Sequence, residues 1–352
     1  MNVVSDREVD AMRRALELAA SDGVPYGPNP RVGAVLLDVT GAPIAEGFHR
    51  GAGTAHAEVD ALANAGERAR GGTAIVTLEP CNHTGRTGPC VDALIAAGIS
   101  RVVFAQTDPN PLAAGGAERL VVAGIEVIGG VLADDAAVLN QAWTFAVTHD
   151  RPFVTWKSAA TLDGRVAASD GSSRWITSAP ARADVHEFRS RVDAVVVGIG
   201  TVLADDPQLS ARGPSDGSPY PSQPLRVVVG MRDIPSAARV RDDSAPTLHL
   251  RMHDPLEILD ELNERGVRHV MLEGGPNVVA AFVSADVVDA VRWYVAPALL
   301  GSGPTALGDI GITSIAAALR LDITDVVRVG TDIRIDALVR RDESEQQPLE
   351  EN

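Results

Sequence analysis

The first third of the chain contains a histidine, a glutamate and two cysteines at spacings that suit a catalytic zinc ion. His56 and Glu58 are two residues apart, and Cys81 and Cys90 follow on the next loop. Zinc binds imidazole and thiolate groups in a tetrahedral site, and three protein ligands leave its fourth position to water. The candidate Zn²⁺ ligands are therefore His56, Cys81 and Cys90, with Glu58 as the candidate catalytic proton carrier.

A zinc site of this composition predicts hydrolytic deamination. The metal lowers the pKa of its bound water to about 7, so that hydroxide forms at neutral pH. Displacement of an amino group from a ring carbon also needs a proton moved from the water to a ring nitrogen, and later to the departing ammonia. A carboxylate at Glu58 can move that proton. Helices predicted to begin near His56 and Cys90 favour thiolate and hydroxide through the positive ends of their dipoles.

Two other interpretations of these residues remain open. Cys81 and Cys90 could form a disulfide or be unrelated thiols, although two cysteines are too few for a secreted disulfide scaffold. His83, which lies between them, could instead supply a fourth ligand and close the site around a structural zinc. Glu58 argues against a structural site, because a metal that only holds the fold together needs no general base.

Sequence patterns predict that an α/β domain at residues 1–150 positions these side chains. A helix with a capping box begins after Ser5, and two strands follow with a turn at Gly41. Helices are expected at residues 56–65 and 89–97, each closed by a glycine, with strands between and after them. Alternation of strands and helices implies right-handed crossovers and a mainly parallel sheet covered by helices.

A second α/β pattern occupies residues 151–341. Its strands are rich in valine, and its first helix follows the N-cap residue Ser178. The pattern ends in alternating residues around Gly330, which predict an antiparallel hairpin. The boundary is expected near Pro152, where charge and proline interrupt the pattern. Residues 342–352 (DESEQQPLEEN) are polar and acidic, and they are expected to form a disordered tail.

Length and charge restrict the class of function. A chain of 352 residues is expected to form two domains, at about 150 residues per domain. Its 47 acidic and 31 basic residues give a net charge of −16, which argues against nucleic acid or an anionic membrane as the main partner. This balance permits a small phosphorylated substrate held by a few arginines. No apolar run approaches about 18 residues and no signal-peptide pattern is present, so we expect a cytoplasmic protein. Hydrophobic strands such as residues 193–200 (DAVVVGIG) could support a dimer as easily as a core, and a homodimer or higher homo-oligomer is expected.

The loop between the cysteines distinguishes classes of zinc deaminase. Cytidine, nucleic-acid and tRNA deaminases place two residues there, whereas this chain has eight, NHTGRTGP. Residues 80–90 (PCNHTGRTGPC) and 28–33 (PNPRVG) closely resemble the bifunctional riboflavin-biosynthesis deaminase–reductases. The resemblance implies a cytidine-deaminase-like zinc domain whose lengthened loop helps to hold a ribosylaminopyrimidine phosphate. The substrate-pocket residues that it implies are Asn29, Asn82, His83, Thr84 and Arg86.

The same resemblance extends through the second half of the chain. The matching segments are residues 157–164 (KSAATLDG), 173–177 (SRWIT), 200–207 (GTVLADDP), 272–276 (LEGGP) and 296–301 (APALLG). They imply a dihydrofolate-reductase-like domain that binds NADPH and the sugar-phosphate substrate. The implied NADPH contacts are Ala160, Trp175, Thr201, Asp205, Gly275, Pro276 and Asn277. The implied substrate contacts are Ser173, Arg189, Leu209, Arg212 and Glu273.

Residue chemistry adds to some of these implied roles. Arginine binds phosphate through two parallel hydrogen bonds, which suits Arg189 and Arg212. Lys157, the single lysine of the chain, falls inside one of the matching segments. Gly230 and Met231, however, replace the Asp-Ser that many family members have after the preceding strand, where the serine approaches the cofactor. This departure predicts a changed contact with NADPH.

These features together predict a two-domain α/β enzyme of riboflavin biosynthesis. Its zinc domain would remove the 2-amino group of 2,5-diamino-6-ribosylamino-4(3H)-pyrimidinone 5′-phosphate, and its reductase domain would convert the ribosyl group to ribityl with NADPH. A nucleoside or tRNA deaminase with an unrelated fused domain is disfavoured by the cysteine spacing and the charge. A zinc-stabilised binding protein is disfavoured by Glu58. An active deaminase with a degenerate reductase is favoured only by Gly230 and Met231.

Overall fold

The computed structural model divides into two compact units, Met1–Arg151 and Pro152–Asn352. The structure describes residues 3–22, 24–83, 88–213 and 217–341. The predictions for Thr84, Arg86 and the tail at residues 342–352 lie outside the described residues. Within these described ranges, no helix combines the length and apolar character needed to cross a bilayer.

The first unit is built on one five-stranded sheet. Its strands are β1 (Gly33–Leu37), β2 (Pro43–Phe48), β3 (Thr73–Leu78), β4 (Arg101–Gln106) and β5 (Glu126–Ile128). They lie in the order β2-β1-β3-β4-β5. β1 is antiparallel to β2 and β3, whereas β3, β4 and β5 are parallel. The prediction of a mainly parallel sheet thus holds only for β3 to β5, because the hairpin reverses β1 relative to both neighbours.

Helices cover both faces of this sheet. They are α1 (Asp6–Ala19), α2 (Ala57–Ala65), α3 (Cys90–Ala97), α4 (Gly116–Val122), α5 (Ala133–Leu139) and α6 (Gln141–His149). α1 begins with the predicted capping box, in which Ser5 and Glu8 each bind the other's backbone N–H. α2 and α3 end at the predicted glycines, Gly66 and Gly98. The sequence does not predict α5 and α6, because neither begins with a side-chain cap.

A glycine contact fixes α2 against the sheet. A Cβ added at Gly47 on β2 would lie 2.4 Å from the carbonyl oxygen of Ala57, the first residue of α2. Glycine is therefore the residue that allows this approach. Because His56 and Glu58 flank Ala57, the contact also sets their distance from the sheet. The sheet face beneath α2 and α3 is formed by the buried side chains of Ala34, Leu36, Ala74, Val76 and Val102.

The second unit contains one eight-stranded sheet. Its strands are β6 (Phe153–Thr161), β7 (Ala194–Gly198), β8 (Leu225–Val229), β9 (Thr247–Leu250), β10 (His269–Leu272), β11 (Ala290–Ala296), β12 (Leu321–Val329) and β13 (Asp332–Val339). The order is β12-β13-β11-β6-β10-β7-β8-β9. The strands from β11 to β9 in this order are parallel. The predicted hairpin, β12 and β13, adds two antiparallel strands at one edge.

The helices of the second unit follow its parallel strands. They are α7 (Ala179–Arg189), α8 (Ile199–Asp205), α9 (Pro255–Glu264) and α10 (Pro276–Ser284). Ser178 caps α7 as predicted, by accepting a hydrogen bond from the Ala181 backbone N–H. α8 and α10 begin at the carboxyl ends of the neighbouring strands β7 and β10. This edge is where α/β sheets form their ligand sites, and the implied NADPH segments at residues 200–207 and 272–276 lie on it.

Candidate active sites

The three predicted metal ligands converge at the start of two helices. The ligand atoms of His56, Cys81 and Cys90 all lie within 4.8 Å of one another. His56 Nδ1 lies 3.1 Å from Cys90 Sγ and 3.5 Å from Cys81 Sγ. His56 is the N-cap of α2, Cys90 is the first residue of α3, and Cys81 follows β3. Both thiols are free, so the disulfide alternative is wrong.

This donor set fits a zinc ion. Hydrogen bonds from the Cys90 thiol and from His56 lower the pKa of Cys81 to about 4, and the contact with Cys81 raises the pKa of Cys90. Without a cation, only one of the two adjacent thiols ionises, whereas a divalent metal lets both do so. Among the described residues the group has no fourth member, and His83 does not belong to it. A structural four-ligand site therefore finds no support, and one coordination position is left for water.

Glu58 lies in the first turn of α2, directly beside the metal group. Its side chain is buried, with 4% of the residue exposed. Burial raises the pKa of Glu58 to about 7, and the charge of Cys81 acts in the same direction. A carboxyl group that titrates near neutrality can take up and release a proton at physiological pH. The position and the protonation of Glu58 both suit a proton carrier.

His49 is a site residue that sequence analysis misses. Its Nδ1–H donates to the Ala55 carbonyl oxygen at 3.1 Å, and its Nε2 accepts from the Asn29 side-chain amide at 2.9 Å. The rings of His49 and His56 meet edge to face, with centroids 5.3 Å apart. Burial lowers the pKa of His49, so the ring stays neutral and keeps this tautomer. His49 thereby positions Asn29, but a lone histidine after a strand carries no spacing signal.

Asn82 and His83 directly follow the ligand Cys81. The Asn82 side-chain oxygen accepts from Arg119 at 2.9 Å, and Arg119 also pairs with Asp92. The Nδ1 of His83 is buried and has no hydrogen-bond partner within the part of the chain that the structure describes. A buried polar nitrogen without a partner costs free energy, so a bound polar ligand would stabilise it.

A second group of charged side chains surrounds Glu273, just after β10. Arg189 binds both carboxylate oxygens, through Nε at 2.6 Å and Nη2 at 2.8 Å, and Lys157 Nζ lies 3.9 Å from Oε2. Although burial opposes ionisation, the charges of Arg189 and Lys157 hold the pKa of Glu273 at about 2. Burial lowers the pKa of Lys157. Lys157 is therefore a second site residue to which sequence analysis assigns no role.

A histidine and another arginine extend this group. His186 Nδ1–H and Arg189 Nη1 donate to the Ser210 carbonyl oxygen, at 3.0 and 3.3 Å. Arg212 Nη2 donates to His186 Nε2 at 3.4 Å. Burial and the nearby arginines lower the pKa of His186 to about 4, so its ring is neutral and accepts this bond. The group carries more positive than negative charge, which suits a phosphate.

Gln208 holds Arg212 from the other side. Its Oε1 accepts from Arg212 and, at 3.3 Å, from Arg239, while its Nε2 donates to Asp242 at 2.6 Å. Asp242 in turn binds the fully buried Arg226 at 2.7 Å. Arg212 is thus fixed between two side chains that no sequence motif reveals.

The starts of α8 and α10 form a glycine-lined cradle at the edge of the sheet. A Cβ added at Gly198 would lie 2.8 Å from Val278 Cγ2, and one at Gly274 would lie 3.0 Å from Val278 Cβ. A Cβ added at Gly275 would lie 3.4 Å from the Thr201 hydroxyl oxygen. Backbone N–H groups at the start of a helix bind phosphates, so the cradle at α10 fits the pyrophosphate of a dinucleotide.

Trp175 offers a stacking surface in the same unit. It has 69% of its surface exposed, and the Arg182 guanidinium lies 4.3 Å from its ring centroid. Arg174 donates to the Asp205 carbonyl oxygen, which ties this segment to the end of α8. An exposed indole held in this way can stack on a planar ligand ring.

Comparison with known proteins identifies the family. The profile of the RibD C-terminal domain matches residues 152–335, and the profile of the cytidine and deoxycytidylate deaminase zinc-binding region matches residues 5–106. The riboflavin biosynthesis protein RibD of Mycobacterium tuberculosis strain H37Rv is 48% identical over 343 residues, which cover 97% of this chain and 100% of the relative. RibD of Escherichia coli K12 is 38% identical, with 92% and 96% covered. The chain belongs to the RibD family.

Solved RibD structures share the fold. Acinetobacter baumannii RibD has a TM-score of 0.88 at 38% identity, over 95% of this chain and 99% of that one. A deaminase/reductase of Thermotoga maritima has a TM-score of 0.86 at 35% identity, with the same coverage. The predicted cytidine-deaminase-like and dihydrofolate-reductase-like domains are confirmed. As a member of this family, the chain is a bifunctional deaminase and reductase of riboflavin biosynthesis, with zinc and NADPH as its cofactors.

The residues implied as ligand contacts differ in their accessibility. Ala160 and Leu209 are buried in hydrophobic cores, so neither presents its side chain to a ligand. Asn277 lies exposed in the first turn of α10, and Ser173 is partly exposed. The ligand contacts of all the implied residues, including the two outside the described ranges, stay predictions.

Proposed function

We propose that this enzyme removes the 2-amino group of 2,5-diamino-6-ribosylamino-4(3H)-pyrimidinone 5′-phosphate and then reduces the ribosyl group of the product to ribityl. Residues 1–150 would carry out the first step and residues 151–341 the second. The observation that carries the proposal is the open group of three metal ligands with Glu58 buried beside it. The name of the Thermotoga relative, a diaminohydroxyphosphoribosylaminopyrimidine deaminase/5-amino-6-(5-phosphoribosylamino)uracil reductase, supports this choice of substrate.

In the deamination step, His56, Cys81 and Cys90 would hold zinc, which would supply a Lewis acid that lowers the pKa of water. Glu58 takes one proton of the attacking water and passes it to a ring nitrogen. It then carries the second proton, from the hydroxyl that has added to the ring carbon, to the departing ammonia. Its pKa of about 7 suits both transfers at neutral pH. Asn29, fixed by His49, binds the ring, while Asn82 and His83 bind the ribosyl phosphate side.

In the reduction step, Arg189 and Arg212 bind the substrate phosphate. The ring-opened sugar is an imine, and NADPH would supply the hydride that its C1′ needs. Lys157 donates the proton that the imine nitrogen needs, since burial lowers its pKa and makes the ammonium a better acid. Glu273 keeps Lys157 in place through their ion pair.

The enzyme is further proposed to be a cytoplasmic homodimer that acts on a small molecule and binds neither nucleic acid nor membrane. One face of the hairpin β12–β13 supports the dimer, because it exposes a row of branched apolar side chains. They lie on one face, because the three in β12 pair with residues 339, 337 and 335 of β13, which alternate along the strand down to Ile333. The row consists of Leu321, Ile323, Val326 and Ile333, which are 41%, 64%, 58% and 44% exposed. The net charge of −16 supports the absence of a nucleic-acid partner.

A coupled assay tests both steps on the purified chain. With the diaminopyrimidine ribosyl phosphate as substrate, we expect ammonia release together with NADPH oxidation. Ammonia without NADPH oxidation would leave a deaminase with a degenerate reductase. Neither signal from zinc-loaded protein would overturn the proposed substrate.

A further inference from the structure

We propose that Arg232 binds the 2′-phosphate of NADPH and makes the reductase unit selective for NADPH over NADH. The proposal rests on the proposed reductase function, and it adds the residue that separates the two cofactors. The cofactors differ by one phosphate monoester, a group that carries about 1.5 to 2 negative charges at neutral pH. Selectivity between them therefore requires a cation beside the adenosine ribose, and arginine is a common choice in dinucleotide sites.

Sheet topology places Arg232 beside the glycine cradle. It follows β8, whose neighbour β7 leads into α8 at the same edge of the sheet. A Cβ added at Gly230 would lie 2.7 Å from Ile199 Cγ2, in the first residue of α8. A Cβ added at Gly200, the second residue of α8, would lie 3.6 Å from Arg232 Nη2. The guanidinium therefore lies next to the start of α8, one strand away from the start of α10.

The loop that carries Arg232 is fixed by its neighbours. His249 Nε2–H donates to the Gly230 carbonyl oxygen at 2.9 Å. Arg251 donates to the Met231 carbonyl oxygen at 2.8 Å. Arg232 itself makes no hydrogen bond or ion pair with any described residue, and it is exposed. A fixed loop thus presents a free guanidinium, the side chain that binds phosphate through two parallel hydrogen bonds.

Other charged groups at this edge of the sheet are already engaged. Arg251 pairs with Asp233, and Arg241 donates to the Ile234 carbonyl oxygen at 3.3 Å. The loop after β6 carries the carboxylate of Asp163, which accepts hydrogen bonds from backbone N–H groups. Glu273 after β10 is bound to Arg189. Within the described residues of these loops, Arg232 is the arginine left to receive an added phosphate.

Binding measurements on the full-length protein test this assignment without relying on turnover. Calorimetry gives the Kd of NADPH, NADH, 2′,5′-ADP and 5′-ADP for the wild type and for Arg232→Ala. Loss of a charge-assisted hydrogen bond should weaken the binding of NADPH and 2′,5′-ADP by about 10- to 100-fold. The binding of NADH and 5′-ADP should not change. Arg232→Lys should fall between, since lysine keeps the charge but not the paired donors. Arg265→Ala, which removes an exposed arginine near the end of α9, is the matched control and should change none of the four.

Each contrary result has its own meaning. If Arg232→Ala weakens the binding of NADPH and NADH equally, Arg232 only shapes the loop. If the variant binds NADPH as the wild type does, the 2′-phosphate is bound elsewhere. Both outcomes overturn the assignment of Arg232. If the wild type binds neither dinucleotide, the proposed reductase function fails before any variant is compared, so the two failures are distinguishable.

Discussion

Single residues of the deaminase site depend on their neighbours for the protonation that the chemistry needs. Cys81 and Cys90 can both ionise only with a cation between them, because their thiols share a hydrogen bond. Glu58 keeps a proton near neutrality because it is buried. His49 stays neutral because burial disfavours its charged form, and this leaves Nε2 free to accept from Asn29. The site therefore acts as one coupled unit rather than as four separate groups.

Replacing Glu58 with glutamine separates proton transfer from metal binding. Glutamine keeps the size of the side chain but cannot carry the proton, so deamination should fall by at least about 10²- to 10⁴-fold. Zinc content, measured by atomic absorption, should stay at the wild-type level because the ligands are untouched. Reduction of externally supplied deaminated product is the internal control and should not change. Loss of zinc from E58Q would instead make Glu58 a structural residue.

At the scale of elements, the contact between β2 and α2 decides where the metal group sits. Gly47→Ala would place a Cβ 2.4 Å from the Ala57 carbonyl oxygen, and backbone atoms cannot yield that space cheaply. We expect a loss of about 1–3 kcal/mol in the free energy of unfolding. Weaker zinc binding, measured by competition with a chelator, should accompany it. Gly88→Ala is the control, because an added Cβ there meets no atom of the described residues within 4 Å. A normal G47A protein would contradict this view of α2.

A buried histidine at the pairing of β6 with β10 makes the stability of the second unit depend on pH. His269 accepts from the Thr155 hydroxyl at 2.9 Å, and burial and the charge of Arg292 lower its pKa to about 3. The unfolded chain binds a proton here below about pH 6.5, while the folded chain does not until about pH 3, so stability falls as the pH drops through this window. At pH 5 the free energy of unfolding is lower than at neutral pH by about 2 kcal/mol. Urea unfolding at pH 7.5 and pH 5 measures the change in the free energy of unfolding between these two pH values. This change should be smaller for His269→Gln than for the wild type. Equal changes in the two proteins would show that His269 is not the source of the pH dependence.

The elements that could be predicted are those whose ends carry their own signals. The capping box at Ser5 and the glycines at Gly66 and Gly98 mark helix ends within a few residues of sequence. α5 follows Leu132, which is in a left-handed backbone conformation, and no capping side chain announces it. β11 lies between strands that are distant in sequence, so its place in the sheet depends on long-range pairing. Local patterns cannot report such pairing.

The same distinction applies to the site residues. The metal group could be predicted because the spacing of His56, Cys81 and Cys90 is itself a motif. His49 and Gln208 could not be predicted, because folding brings them to Asn29 and Arg212 through contacts that no spacing encodes. Identifying such supporting residues from the sequence would require the packing of the whole unit.

At the scale of the whole molecule, the exposed face of β12–β13 is expected to join two copies of the chain. Ile323→Asp places a charge in the middle of this face and should convert the dimer to a monomer, because a buried unpaired carboxylate opposes association. Sedimentation velocity measures the change. Val39→Asp, at an exposed position of the first unit, is the control and should remain a dimer. A wild-type chain that sediments as a monomer would contradict the proposed interface.

Lys157 allows the unfolding of the second unit to be measured separately from that of the first. It is the single lysine of the chain and lies within β6, held by its ion pair with Glu273. A protease specific for lysine therefore has one bond to cleave, and that bond is protected as long as the sheet is intact. Appearance of the fragments 1–157 and 158–352 reports the opening of this unit alone, whereas a spectroscopic melting curve would combine both units.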